Sequence, residues 1–374
     1  MLRIPARRSF LKMVGAGLAS IGLQKLNGQS KSEIKTSEKK IPSKSFVNFL
    51  KKYGDEYKPG MIYRDGQDFR TWQRAFRRKL KSLRGIIPDR VKPEVEILET
   101  TELSDHIRQL IHFPVTKFSE LIAYLLTPKN IKKGEKRAGI VALHGHHSHG
   151  IETICGVRKT DYPPYALQAV RSGYVVLAPA WWGWPGRDGH LDRIGNRDKC
   201  NVIQMAASMY GINVLDLHIQ DGQAAIDVLC SCAEVDKKNI GCIGNSYGGR
   251  TAMWLTIFDE RIKACVPAGC MNIFRERSLK LSSCAIQYLP GLLQYGDVPE
   301  LFSLISPRPM QLQAGEGDNL ITASDREQIR KVVEKAYRLS GAEKNFEYVL
   351  HSRGHVFAWD LAVRSFRKHL KTEK

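Results

Sequence analysis

The sequence predicts an α/β protein, with a mainly parallel central sheet, helices on both faces and a helical N-terminal extension. Three observations carry this. From residue 138 onward, short apolar runs rich in β-branched residues ("AGIVAL", "GYVVLAP", "NIGCIG", "IKACVPAG", "RPMQLQAG" and "NFEYVLH") recur along the chain. Longer amphipathic segments separate them, notably "VLDLHIQDGQAAIDVLCS" and "GRTAMWLTIF". Strands that are apolar throughout suit a parallel sheet covered on both faces, and such sheets gather functional groups at the carboxyl ends of their strands.

The chain begins with "RRSFLKMVGAGLASIGL", in which Arg7 and Arg8 precede a short run of small and apolar residues. This matches a twin-arginine export signal over residues 1–30, an address read by the twin-arginine export machinery. The apolar run Met13–Leu23 is about half the roughly 20 residues needed to span a bilayer, so no membrane span is expected after signal removal. The expected location is therefore periplasmic or extracellular. Residues 31–64 read as a linker and the start of the N-terminal extension, because "KSEIKTSEKKIPSKS" is Lys/Ser-rich and aperiodic. In "FRTWQRAFRRKLKSLRG", Trp72, Phe76, Leu80 and Leu83 fall on one helical face, and Gly85 and Pro88 end the helix. "HIRQLIHFPV" and "SELIAYLLTP" are extended and form an antiparallel lead-in to the sheet.

The length of 374 residues allows a substantial core, and 43% hydrophobic with 26% charged residues is ordinary for a globular chain. The net charge of +20 is high, but residues 1–60 hold 13 Lys/Arg against 4 Asp/Glu and so carry nearly half of it. No basic helix interleaved with aromatics appears, and no nucleic-acid partner is expected. None of the eight cysteines forms a C-x-x-C pair, and Cys242 and Cys265 lie in strand-like runs, so most read as buried free thiols.

After "NIGCIG" the chain reads "GNSYGGR" and enters a helix at once. This is G-x-S-x-G in its strand–turn–helix setting, which projects the hydroxyl of Ser246 above the sheet and aims the backbone N–H of Tyr247 into the site. A serine hydroxyl needs an adjacent imidazole to take its proton. His355 in "HSRGHVF" follows the last strand-like run and is the best placed, with His351 as competitor. The imidazole needs a carboxylate to hold its tautomer. Asp318 supplies it from "LQAGEGDNLI", with Glu316 and Asp325 as fallbacks. Ser246, Asp318 and His355 occur in the Ser–acid–His chain order of α/β hydrolases.

At these residues the chain resembles the α/β-hydrolase-7 and dienelactone-hydrolase-like esterases, which include acetyl xylan esterases. "TWQRAFRRKLKSLRGIIP", "LIAYLLTPK" and "GIVALHGH" are similar to the family's N-terminal helix and following strands. "GYVVLAPA", "VDKKNIGCIGNSYGG" and "DERIKACVPAG" match in order and spacing. The resemblance covers roughly residues 65–365 and implies the same triad; the expected α/β-hydrolase domain is residues 65–370, and neither a cofactor nor a metal is expected. Where relatives read something like "APDARGFG", this chain has "APAWWGWPGRDG". That departure makes Trp181, Trp182, Trp184 and Arg187 candidate substrate contacts, the rings by stacking and the guanidinium by pairing with a carboxylate.

"ALHGHHSHG" carries four histidines in six positions. Its His144-x-His146-x-x-His149 spacing resembles the loop of metallo-β-lactamase-like hydrolases, but Ser148 stands where that loop has an aspartate, and no second group of ligands is evident. In the hydrolase topology the same loop lends the backbone N–H of His146 to an oxyanion hole, with His147 a candidate substrate contact. The expected activity is an exported serine hydrolase acting on carboxylic esters, small-molecule or carbohydrate-borne, acetyl esters among them. A serine peptidase or amidase on the same fold, a metal-dependent hydrolase and a non-catalytic binding protein are the alternatives.

Overall fold

The computed structural model describes residues 45–370, apart from residues 190, 196, 281 and 282. The expected export signal and nearly all of the Lys/Ser-rich linker lie outside the described residues. One sheet holds β1 (Glu96–Glu102), β2 (His106–Thr116), β3 (Ser119–Pro128), β4 (Arg137–Leu143), β5 (Val175–Pro179), β6 (Val235–Asn245), β7 (Ile262–Ala268), β8 (Met310–Gly315) and β9 (Phe346–His351). Its order is β1-β2-β3-β5-β4-β6-β7-β8-β9. The first three strands pair antiparallel and β3 meets β5 antiparallel, while all pairings from β5 to β9 are parallel.

The central strands are apolar throughout because both of their faces are covered. In β4, Val141 and Leu143 enter one core with Leu215, Ile219 and Leu229 of the helix Val214–Ser231. Ile140 and Ala142 enter a second core with Tyr165, Ala169 and Phe366 from the helices Tyr165–Arg171 and Trp359–His369. Strand β1 is an addition to the two lead-in strands expected from sequence. Six of its seven residues are exposed, Ile97 and Leu98 included, so it has no buried face to leave a period-two signature. Glu96 and Glu102 on this edge pair with His112 and Lys129.

The N-terminal helix forms over Phe69–Leu83, begun by the Asp68 side chain accepting from the amide of Thr71 at 2.8 Å. Its apolar face buries Phe69, Trp72, Phe76 and Leu80 in the first core. Gln73 fastens it there by donating to the carbonyls of Ser303 and Ser306 at 2.9 and 2.8 Å. The extension is therefore part of the main core.

Chain order places the functional loops. From β4 the chain moves to β5 on one side and then to β6 on the other, so the strand order reverses at β4. Crevices outside the carboxyl ends of strands at such a reversal are where open α/β sheets bind ligands. The histidine-rich loop leaves β4 there, and the G-x-S-x-G turn leaves β6 beside it. Among the described residues, no helix is long and apolar enough to cross a membrane.

Phe76 is fully buried and lies so close to Gly296 that a Cβ there would sit 2.7 Å from its ring. Phe76→Ala should lower unfolding free energy by about 3–5 kcal/mol, read from urea unfolding, whereas loss of under about 1 kcal/mol would mean the helix does not depend on this core.

Candidate active site

Ser246 joins β6 to the helix Tyr247–Phe258 with φ 59° and ψ −119°. It is the one non-glycine residue with positive φ among the described residues. A left-handed turn at a residue with a Cβ costs on the order of 1–3 kcal/mol and persists only where the surroundings impose it. They do so by close approach. A Cβ on Gly248 would sit 1.9 Å from the Leu143 carbonyl oxygen, and one on Gly244 would sit 2.2 Å from the carbonyl oxygen of Gly248. The amide of Ser246 donates to the Ala268 carbonyl at 2.8 Å, which pins the turn to the end of β7.

Asp318 follows β8 and its carboxylate is fully buried. Its Oδ2 accepts from Nδ1 of His355 at 2.7 Å, and its Oδ1 accepts from the amide of Leu320 at 2.9 Å. The first bond fixes the proton of His355 on Nδ1 and leaves Nε2 as the basic nitrogen. The His355 ring is 23% exposed and borders the turn after β7, where a Cβ on Gly269 would lie 3.0 Å from its Cε1 and 2.5 Å from Oδ1 of Asn245. Asn245 directly precedes Ser246 and its side-chain amide points to the backbone oxygen of His355 at 3.5 Å. Imidazole and carboxylate are thus joined at the ends of β9 and β8, and they border Asn245, the residue before Ser246, at the end of β6.

The competitors are placed elsewhere. His351 is buried as the last residue of β9, and burial, its largest influence, lowers the basicity of its ring. Glu316 is exposed, and Asp325 accepts from the amide of Ile273 at 3.3 Å.

The loop after β4 packs directly on the Ser246 turn. A Cβ on Gly145 would lie 2.9 Å from the Asn245 carbonyl oxygen and 3.3 Å from Cβ of Ser246, so only glycine fits. This sets the backbone of His146 beside the start of the helix at Tyr247. The first amides of a helix have no intrahelical acceptor and carry the positive end of its dipole.

The four histidines of the loop do not share one focus. His144 is fully buried, donates from Nδ1 to the Gly145 carbonyl at 2.8 Å and accepts at Nε2 from the amide of Trp181 at 3.2 Å, which leaves no nitrogen for a metal. His147 lies against Tyr162 with ring centroids 3.6 Å apart, and its Nε2 is buried without a hydrogen-bond partner. His149 is exposed, and the His146 ring contacts Trp184 and Tyr247. Spacing along the loop suggested a metal nest, but the rings diverge.

The "WWGW" segment also differs from expectation. Trp181 and Trp184 are 0% and 1% exposed, so neither offers a stacking face. Their ring N–H groups donate to the loop itself, Trp181 to the His144 carbonyl at 3.1 Å and Trp184 to that of His147 at 2.6 Å. Arg187 does not wait for a substrate carboxylate. Its guanidinium is buried against Asp221 at 2.5 Å, donates to the Ala180 carbonyl at 3.1 Å and lies 3.7 Å over the Trp182 ring. Burial of a cation requires such a partner, and Asp221, inside an apolar helix, gives no local signal of that role. Trp182 alone of the three is half-buried, and it borders a cavity of about 880 Å³ with Phe118, Lys117, Leu191 and Ile203. Ser246, Asp318 and His355 do not line that cavity.

Sequence reasoning also passed over His218. Its Nδ1 is hydrogen-bonded to the Tyr247 hydroxyl, and its Nε2 accepts from the amide of Trp182 at 3.1 Å. A lone histidine in a helix carries no signal of such a bridge.

Comparison with known proteins agrees with this architecture. The pattern of the dienelactone hydrolase family matches residues 122–368. A putative hydrolase, YtaP, of Bacillus subtilis (strain 168) is 29% identical over 294 residues, covering 75% of this chain and 94% of its own. A solved putative acetyl xylan esterase from Bacteroides fragilis superposes with a TM-score of 0.71 at 17% identity, covering 87% of this chain and 94% of its own. A glucuronoyl esterase from Solibacter usitatus gives 0.60 at 15% identity, with 83% and 97% covered. These superpositions establish the α/β-hydrolase fold.

Two outcomes follow from the packing of the loop. Arg187→Ala should destabilise the chain by about 3–5 kcal/mol in urea, because it leaves Asp221 buried without its partner; a change in KM with stability intact would return Arg187 to the substrate. Burial holds His144 down to about 3, and burial, then His355 and His146, hold His147 down to about 4, against an ordinary 6.5. Below pH 6.5 the unfolded chain therefore binds protons that the folded chain refuses, so their stabilisation is full above that pH and is lost as pH falls toward about 4 for His147 and about 3 for His144. The loss is at most about 1.4 kcal/mol per group and pH unit, and less for half-buried His147. His147→Gln should make the fall of the urea midpoint shallower, and an unchanged slope would exclude His147 from it.

Proposed function

The chain belongs to the dienelactone hydrolase family, and from that premise we propose that it is a serine esterase cleaving carboxylic esters carried on carbohydrate. The observation that carries the reading is the strained turn at Ser246, together with an imidazole that borders the preceding residue Asn245 and whose tautomer a fully buried carboxylate fixes. The carbohydrate part draws on the acetyl xylan esterase and glucuronoyl esterase that share the fold.

In the proposed reaction Nε2 of His355 takes the proton of Ser246 as Oγ attacks the ester carbonyl. The backbone N–H groups of Tyr247 and His146 receive the developing oxyanion, a stabilisation worth about 3–4 kcal/mol per donor in comparable sites. Asp318 stabilises the imidazolium through Nδ1–H without taking its proton. Collapse of the intermediate breaks the bond to the alcohol, which leaves with the proton from His355. Water, deprotonated by the same nitrogen, then attacks the acyl-enzyme, and the acid departs as Ser246 recovers its proton. Neither a metal nor an organic cofactor is part of these steps.

His147 suits a role beside this centre as a substrate contact. Its orphaned Nε2 lies 3.5 Å from the position a Cβ on Gly145 would take, and the same position is 3.3 Å from Cβ of Ser246. Export through the twin-arginine route remains part of the proposal, on the strength of Arg7, Arg8 and the short apolar run behind them.

A fluorophosphonate probe should label the native chain at Ser246, and short-chain aryl esters and acetylated xylan should be cleaved in preference to peptide amides. Ser246→Ala should abolish labelling and lower kcat by on the order of 10⁴–10⁶, and Asp318→Asn by roughly 10⁴. A folded native chain that neither labels nor cleaves esters would overturn the assignment.

A further inference from the structure

Three soft donor atoms from three separate segments meet at the rim of the candidate site. A ring nitrogen of His146, Sγ of Cys200 and Sγ of Cys284 all lie within 4.8 Å of one another. His146 comes from the loop after β4, and Cys200 from the first turn of the helix Lys199–Ser208. Cys284 opens the short turn Ala285–Gln287. The proposed ester chemistry uses none of these side chains, since His146 enters it through its backbone. We propose that His146, Cys200 and Cys284 form a binding site for a soft divalent cation of the zinc class, with water in the fourth position.

The donor set argues for that class. Two thiolates and an imidazole suit zinc, whereas magnesium and calcium take oxygen ligands. With bonds of about 2.3 Å to sulfur and about 2.0 Å to nitrogen, tetrahedral ligand atoms stand roughly 3.5–3.8 Å apart, so side-chain rotation of about 1 Å closes the set. Two thiolates also balance a dication, so no carboxylate is required for charge. Each thiol gives its proton to solvent as its bond to the cation forms, no electron is transferred, and affinity rises with pH.

The surroundings hold the donors ready. Cys200 is buried, Cys284 half-buried and His146 exposed, which gives a floor of protein and one side open to water. Cys200 sits near the N-terminus of a ten-residue helix, where unpaired amides favour a thiolate. Asn201, its neighbour, accepts from the amide of Ala285 at 2.8 Å, and this bond keeps the segments of the two thiols together before any cation arrives. A bound cation ties both segments to the loop that carries Gly145 and His146. The two cysteines are far apart in sequence, and neither belongs to a local ligand motif.

Cobalt(II) added to the reduced, metal-free full chain tests the site. One equivalent should bind with a near-ultraviolet thiolate-to-cobalt charge-transfer band, and zinc should displace it. The band should vanish in Cys200→Ser and in Cys284→Ser, each checked for native fold by circular dichroism. Zinc at about a hundredfold excess over its Kd should raise the melting temperature of the native chain by on the order of 4 °C, and that of either variant far less. No band at millimolar cobalt in folded protein, or a band that survives both substitutions, overturns the proposal. So does a native chain whose thiols form a disulfide and which, once reduced, still gives no band. Fluorophosphonate labelling of Ser246 is read separately, so failure of the cation site and failure of the esterase reading are distinguishable.

Discussion

Strand β4, strand β6 and the helix after Ser246 approach more closely than side chains allow. A Cβ on Gly248 would lie 1.9 Å from the Leu143 carbonyl oxygen at the end of β4, and Gly244 is pressed as tightly against Gly248 itself. That contact leaves the chain no relaxed way to pass from strand to helix, so the strain falls on Ser246, whose φ is 59°. The same compression fixes the position of the β4 loop, because Gly145 rests against Asn245 and Ser246 with no space for a side chain. Helix dipole, serine and loop backbone therefore share one geometry, set by backbone packing and not by the polar groups around them.

Around this centre the polar groups form supports that point inward. Asp318 spends one oxygen on the Leu320 amide and the other on His355. His144 uses both ring nitrogens to join the β4 loop to the segment after β5. Arg187 and Asp221 neutralise each other beneath that segment, and His218 bridges Tyr247 to Trp182. Buried polar groups of this kind are stable because each finds partners, and at least one partner of each comes from a distant part of the chain.

This dependence on distant partners explains what could be read from the sequence. The parallel sheet, the N-terminal helix and the turn at Ser246 are written locally, as continuous apolar runs, as Trp72, Phe76 and Leu80 on one helical face, and as glycines flanking a serine between strand and helix. Asp318 and His355 are legible as a pair because topology sends such residues to strand ends, and a hydrogen bond joins them there. Strand β1 was missed because it buries no face. Trp181, Trp184 and Arg187 were misread because a ring or a guanidinium in a loop looks the same whether it meets solvent or a carbonyl from another segment. The histidine run misled for a related reason, since spacing along a loop does not tell where each ring turns. His146 does meet two thiols, yet they come from positions 200 and 284, beyond the reach of any spacing rule.

The tryptophans that frame the β4 loop have an optical consequence. Three of the six in the chain, Trp181, Trp182 and Trp184, occupy the segment beside this loop, and two of them donate their ring N–H groups to its carbonyls. Indole emission depends on the polarity and hydrogen bonding around that N–H, so a shift of the loop changes the light these rings give. The chain thus carries native fluorophores coupled to the backbone beside Ser246, and their emission reports on that backbone without an attached label.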